Sequence, residues 1–156
     1  MDYAGISILI FGSCVPVLYY AMACNRVHDY KVGYLSAMGV ACLACFIVTL
    51  IPKFDQEAYR KWRGIMYIIL GVSCGFMFLM FAFLDAQYIS QVKPWVYILG
   101  GYIYIQGAII YMVRCPERCS PGTFDLCGAS HQIFHFAVLI GALLHFWENY
   151  LVFRHR

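Results

Sequence analysis

The sequence predicts an all-α fold: a polytopic membrane helix bundle with five transmembrane helices. Three observations carry that prediction. The chain is 63% hydrophobic and only 12% charged, where a soluble domain has about a quarter of its residues charged. Five apolar windows approach or exceed the roughly 20 helical residues that cross a bilayer, and the charges fall between them. Tyrosine and tryptophan gather at the window ends (Tyr19, Tyr20, Tyr30, Trp62, Trp95, Trp147 and Tyr150), as interfacial belts do.

The windows lie at about 3–24, 33–51, 64–84, 95–113 and 131–153, in a single transmembrane domain covering 1–156. The first is too long for a cleavable leader and follows Asp2 rather than a basic residue, so no signal peptide is expected. The second lies between the polar stretches "NRVHDYKV" and "PKFDQEAYRKWR". The third follows Arg60, Lys61 and Arg63, and its Gly71 and Gly75 have the G-x-x-x-G spacing that lets helices pack closely. The fourth is opened by Pro94, at the end of "DAQYISQVKP". The fifth follows "RCPERCSPGTFDLCGAS", with Ser130 as a capping residue, and carries Glu148 as an interfacial acid near its far end.

Pro52, Pro94, Pro116 and Pro121 break the connections. In the last of these, Pro116, Pro121 and Gly122 direct the loop's path. Its charges (Arg114, Glu117, Arg118 and Asp125) either cap the mouth of the fifth helix or solvate the loop. A formal charge of +3, scattered along the chain, argues against nucleic acid as a partner. Of eight cysteines, Cys14, Cys24, Cys42, Cys45 and Cys74 fall in apolar runs, where a thiol packs as a small hydrophobe. Only Cys115, Cys119 and Cys127 lie in a polar connection, so disulfides are not expected.

Five passes put the starts of the first, third and fifth helices on one face. Lys53, Arg60, Lys61, Arg63, Arg114 and Arg118 belong to that face, against Arg26, Lys31, Lys93, Arg154 and Arg156 on the other. Once the two tail arginines are discounted, the excess of cations places the first face in the cytosol and the C-terminus outside.

That face also carries the chemistry. His131 and His135 are one helical turn apart, so both imidazoles can reach one ion. Zn²⁺ accepts imidazole nitrogen, and its catalytic sites commonly combine three protein ligands with a water. The plainer reading is that both histidines hydrogen-bond to neighbouring helices or sit at the interface. Asp2, before the first helix, shares their face by parity and is either a partner of the pair or a carboxylate in the headgroup layer. Cys127 continues the four-residue spacing, but eight residues of helix span about 12 Å, awkward for one tetrahedral ion. His28 and His155 belong to the opposite face, and His145 lies about 21 Å along the helix from His131.

Two strings carry a resemblance. "DYAGISILIFGSCVPVLYY" at the start and "YMVRCPERCSPGTFDLCGASHQIFH…LLHFW" near the end resemble the progestin and adipoQ receptor family, adiponectin receptors in particular. The long pattern P-E-R-x-x-P-G-x-F-D followed by S-H-Q-I-F-H is specific, and the similarity runs through essentially the whole chain. The resemblance implies a seven-helix protein with a cytosolic N-terminus, and a zinc ion near the cytosolic side. It implies His131 and His135 as two metal ligands and Asp2 as the carboxylate that orients the reacting water. The chain begins where the family's third helix begins. It corresponds to the last five of seven helices, and the S-x-x-x-H motif that supplies the remaining zinc ligand is absent.

Two functions are compatible with these residues. One is a zinc-dependent hydrolase of ceramide-like lipid amides, its site left incomplete by the absent ligand. The other is a non-catalytic receptor or a structural subunit of a membrane assembly. Both place the chain among membrane lipids in the plasma membrane or an internal membrane. Both call for a protein partner or the absent two-helix segment to cover exposed helix faces.

Overall fold

The structure is a computed structural model that describes residues 2–21, 28–84, 93–124 and 127–154. Among these residues it has five α-helices: α1 (Asp2–Ala21), α2 (His28–Thr49), α3 (Arg60–Leu84), α4 (Pro94–Val113) and α5 (Ser130–Arg154). Two short 3₁₀ turns, Pro52–Asp55 and Glu57–Tyr59, lead into α3. No strand occurs among the described residues. Each helix lies where the sequence has an apolar window, and each has 20–25 residues.

Side-chain pairs set the register of the bundle. Ser7 is within 3.3 Å of the Tyr67 hydroxyl, and Cys14 is disulfide-bonded to Cys74, again 60 residues along. A constant offset means that α1 and α3 run parallel with their N-terminal ends level. The α4–α5 pair is antiparallel instead: a Cβ on Gly107 would meet Ala137, and one on Gly100 would meet His145. The α3–α4 pair is antiparallel too, Arg63 reaching Tyr111 at one end and Cys74 reaching Tyr97 at the other. Helices α1, α3 and α5 therefore start at the same end of the bundle.

The disulfide corrects the expectation of unpaired cysteines. Cys14 and Cys74 are both buried, and their Cα atoms are 6.3 Å apart across the α1–α3 contact. Their meeting depends on the register of two parallel helices separated in sequence by all of α2. Local context could not reveal it.

The tight helix contacts also differ from expectation. A Cβ built on Gly71 or Gly75 meets nothing within 4 Å, so that G-x-x-x-G faces open space. Close approach occurs instead along α4 and α5. A Cβ on Gly107 would lie 2.6 Å from the Ala137 Cβ, and one on Gly141 would lie 2.8 Å from the Tyr104 ring. The α4–α5 pair is the most extensive in the bundle.

Polarity is arranged opposite to that of a water-soluble domain. Ser7, Arg63, Ser130, His145 and Glu148 are buried, while Ile8, Val40, Ile69, Phe136 and Phe146 are each at least 64% exposed. Buried charge beside exposed apolar surface costs free energy in water, whereas in lipid the same arrangement satisfies both. Two helices, over Val32–Thr49 and Pro94–Val113, are apolar and long enough by themselves to cross a membrane among the described residues. In α5 the run is interrupted by His131, His135, His145, Glu148 and Asn149. Parts of the α1 and α3 runs lie outside the described side chains.

Candidate metal centre

Helix α5 starts where the connection from α4 folds back over the bundle. Arg114 ends α4 in a left-handed conformation (φ 59°), its N–H donating to the Ile110 carbonyl; the Cys115–Pro116 peptide is cis, and Gly122 and Gly128 also have positive φ. The loop so directed brings Glu117 to the first turn of α5. There its Oε1 accepts from both the N–H and the hydroxyl of Ser130, each at 2.8 Å. A carboxylate in this position satisfies otherwise orphaned donors and faces the positive end of the helix dipole. The cap is thus Glu117, and Ser130 is its donor, the reverse of the role expected of the serine. Burial pushes the Glu117 carboxyl up, but bonds from its own backbone N–H and from Ser130, with the nearby Arg60 guanidinium, hold it below the usual carboxylate range. Gln132 adds a second anchor by accepting from the Gly128 N–H at 2.8 Å.

In the first and second turns of α5 stand His131 and His135. Their Nε2 atoms are 3.1 Å apart, with the rings edge-on at 85°. His131 is half-buried beside the Tyr111 ring, and His135 is exposed beside Phe134. Two imidazole nitrogens at zinc-bond lengths of 2.0–2.1 Å in a tetrahedral set lie about 3.3 Å apart. The observed separation is a hydrogen-bond distance between the two imidazoles, and it also lies within a few tenths of an ångström of that value, so the spacing is compatible with either arrangement. Among the described residues, no group of three or more His, Cys, Asp or Glu side chains comes together around one point.

Asp2 is the first residue of α1 and so stands at the same end of the bundle; its side chain lies outside the described residues. Cys127 is exposed in the loop. His145 is buried at the opposite end of α5, held between Tyr97 (4.1 Å, edge-on) and Tyr104 (5.5 Å, stacked). Glu148, expected at an interface, is instead 2% exposed, with its Oε1 accepting from the Lys93 N–H at 2.6 Å. The side chains of His28, His155 and Asp125 lie outside the described residues.

Beside the histidines is a polar cavity of about 350 Å³, lined by Glu57, Arg60, Arg63, Tyr111, Arg114, Glu117 and His131. Arg63 is buried and donates to the Phe54 and Gln56 carbonyls and to the Tyr111 hydroxyl. The Arg60 guanidinium lies 4.2 Å above the Tyr111 ring and donates to the Ser130 hydroxyl at 3.3 Å. The sequence reading had counted Arg60 and Arg63 only as charges of one face. Their R-x-x-R spacing, which puts both on one side of a helix, was the available signal. A larger groove of about 580 Å³, lined by Tyr34, Ile69 and Phe76 among others, is apolar and remote from these groups.

A helical bundle with apolar surface outside, buried charge within and an imidazole pair at one end is the arrangement of a membrane protein with a candidate metal centre. The chain belongs to the haemolysin-III-related family, whose pattern it matches over residues 1–146, and its relatives are adiponectin-receptor-like. It is 37% identical over 149 residues to an adiponectin receptor protein of Drosophila melanogaster, covering 94% of this chain and 33% of that one. It is 35% identical to an ADIPOR-like receptor, IZH2, of Saccharomyces cerevisiae, covering 93% of this chain and 46% of that one. A heptahelical transmembrane protein, ADIPOR2, of Oryza sativa is 37% identical, with 94% and 63% covered. The chain therefore spans between a third and just under two thirds of these relatives' lengths.

Proposed function

We propose that this chain is the five-span core of an adiponectin-receptor-like membrane protein, with a zinc ion held by His131 and His135 and a chemistry related to lipid amide hydrolysis. The observation that carries the reading is the 3.1 Å between the two Nε2 atoms. Helices of 20–25 residues rise about 30–38 Å, enough for a hydrocarbon core of about 30 Å, and their exposed apolar side chains support five spans. The cation excess at the histidine end supports a cytosolic metal face and an external C-terminus, in the plasma membrane or an internal one.

Bound there, zinc supplies an activated water and a polarised amide carbonyl. The protein's part is to hold the ion by two imidazoles on adjacent turns of α5. The Asp2 carboxylate, at the start of α1, would orient or deprotonate that water. A ceramide-like amide would reach these groups from within the bundle. A third protein ligand would come from outside the described side chains, either from a two-helix segment carrying S-x-x-x-H or from a partner chain.

Metal analysis of the purified chain tests this. We expect sub-stoichiometric zinc that disappears in His131→Ala and in His135→Ala. Co-expression of a segment with S-x-x-x-H should raise it to one per chain, with slow turnover of a ceramide-like amide. Asp2→Ala in that pair should remove the turnover and keep the zinc. Unchanged stoichiometric zinc in the double alanine variant would place the metal elsewhere. A second reading, a non-catalytic receptor or subunit, is favoured by the receptor names of the relatives. It predicts no turnover even when zinc is fully restored.

A further inference from the structure

The loop that carries Glu117 also brings two thiols together. Cys115 and Cys119 are free and exposed, and their side chains are hydrogen-bonded to one another. The backbone accounts for the meeting. The Arg118 N–H donates to the Arg114 carbonyl, and the Cys119 and Ser120 N–H groups donate to the Pro116 carbonyl, at 2.8–3.2 Å. These bonds wind C-P-E-R-C into one tight turn, which sets its last residue beside its first. Both cysteines lie between α4 and α5, outside the apolar runs, where a dissolved reagent can reach them. The Cys14–Cys74 pair is the opposite case, already bonded and buried in the bundle. Partial desolvation, the neighbouring Cys119 and the Glu117 carboxylate hold the Cys115 thiol above its ordinary range. At rest Cys115 therefore keeps its proton, and its hydrogen bond with Cys119 stays formed.

We propose that Cys115 and Cys119 are a reversible dithiol–disulfide site whose substrate is a small-molecule disulfide of the glutathione kind. One protein thiolate attacks a sulfur of that disulfide, forming a mixed disulfide and releasing one small thiolate, which takes up a proton. The second protein thiol loses its proton to solvent and attacks the protein-side sulfur of the mixed disulfide, expelling the other small thiolate. Two protein thiols are thereby oxidised to one S–S bond, and one small disulfide is reduced to two thiols. An S–S bond is about 2.05 Å long, and two exposed side chains already in contact reach that length by rotating about χ1. Exposed disulfides of this kind are the labile ones, reopened by an excess of small thiol. The ring that closes contains Glu117, whose carboxylate holds the first turn of α5 through Ser130. The site depends on the turn and on no bound metal.

The test uses the full 156-residue chain in detergent micelles, incubated with oxidised glutathione and then blocked, digested and weighed by mass spectrometry. Trypsin cuts after Arg118, between the two cysteines, so their peptides stay joined only if the S–S bond has formed. We expect the Cys115–Cys119 link to exceed the glutathione adduct by about tenfold, because a neighbouring thiol acts at high effective concentration. Reduced glutathione should reopen it. Cys127→Ser should leave the link unchanged, whereas in Cys119→Ser the adduct should accumulate on Cys115 with no link. Phenylarsine oxide, which takes two adjacent thiols at once, checks the unmutated chain: it should protect Cys115 and Cys119 together from alkylation. Independent glutathione adducts on both cysteines, a link to Cys127 instead, a link that reduced glutathione leaves intact, or no protection by the arsenical would overturn the assignment.

Discussion

Arg114 shows how one residue can trade local comfort for position. Its φ of 59° is the conformation a glycine takes at a helix end, and a β-carbon there costs about 1 kcal/mol. Arg114→Gly should therefore be more stable than Arg114→Ala by about 1 kcal/mol, measured by unfolding in detergent. Equal stabilities would mean that the left-handed turn is not formed in solution. Glu117 lends itself to a pH experiment. Its carboxyl is held below the ordinary range, so its contribution is complete above the unfolded pKa of about 4.3 and is lost as pH falls through the lowered folded value. Thermal stability should drop on acidification below about pH 4.3, and the drop should be shallower in Glu117→Gln, which has no charge to lose. Parallel acid profiles for the two proteins would remove Glu117 from the capping role. Legibility differed among these residues. The histidine pair could be read from a four-residue spacing, whereas the capping role of Glu117 needed a loop whose path reverses over the helix.

At the scale of elements, the seam between α4 and α5 is set by missing side chains. A Cβ at Gly107 would lie 2.6 Å from that of Ala137, and neither atom can swing aside. Gly107→Ala should destabilise the bundle by about 1–3 kcal/mol, the usual cost of overpacking. Ala137→Gly in the same chain should recover part of it. Gly71→Ala meets open space, so it should be neutral or raise stability by up to about 1 kcal/mol through helix propensity. Thermal unfolding of the three variants decides between these values, and a costly Gly71→Ala would show that another surface covers that face. The sequence contains all these glycines and nothing that ranks them. A G-x-x-x-G spacing establishes that two small residues share a helix face, and only the partner helix establishes which face is crowded.

For the whole molecule, the parallel register of α1 and α3 and the antiparallel pairing of α4 with α5 put the connection around Asp55 and the loop around Ser120 at the same end. Single cysteines introduced at these positions in a cysteine-depleted, membrane-inserted chain should react together with an impermeant thiol reagent added to one side. Labelling from opposite sides would contradict the alternation of five spans. The buried Glu148 and His145 at the other end follow from the same inside-out polarity, since a helix in lipid turns its costly groups toward its neighbours.

The sequence by itself determined the helices and the candidate metal residues, because both are local properties. Apolar run length and polar breaks locate a helix, and a four-residue spacing puts His131 above His135 on one face. The tertiary structure alone decided what depends on register between segments far apart in the chain. It joined Cys14 to Cys74 across the parallel α1–α3 contact. It made Gly107 rather than Gly71 the tight contact, and it gathered Glu57, Arg60, Arg63 and Arg114 around one cavity. Residues brought together from 57 positions apart share no local pattern, and their charges meet only when packing leaves them facing one another.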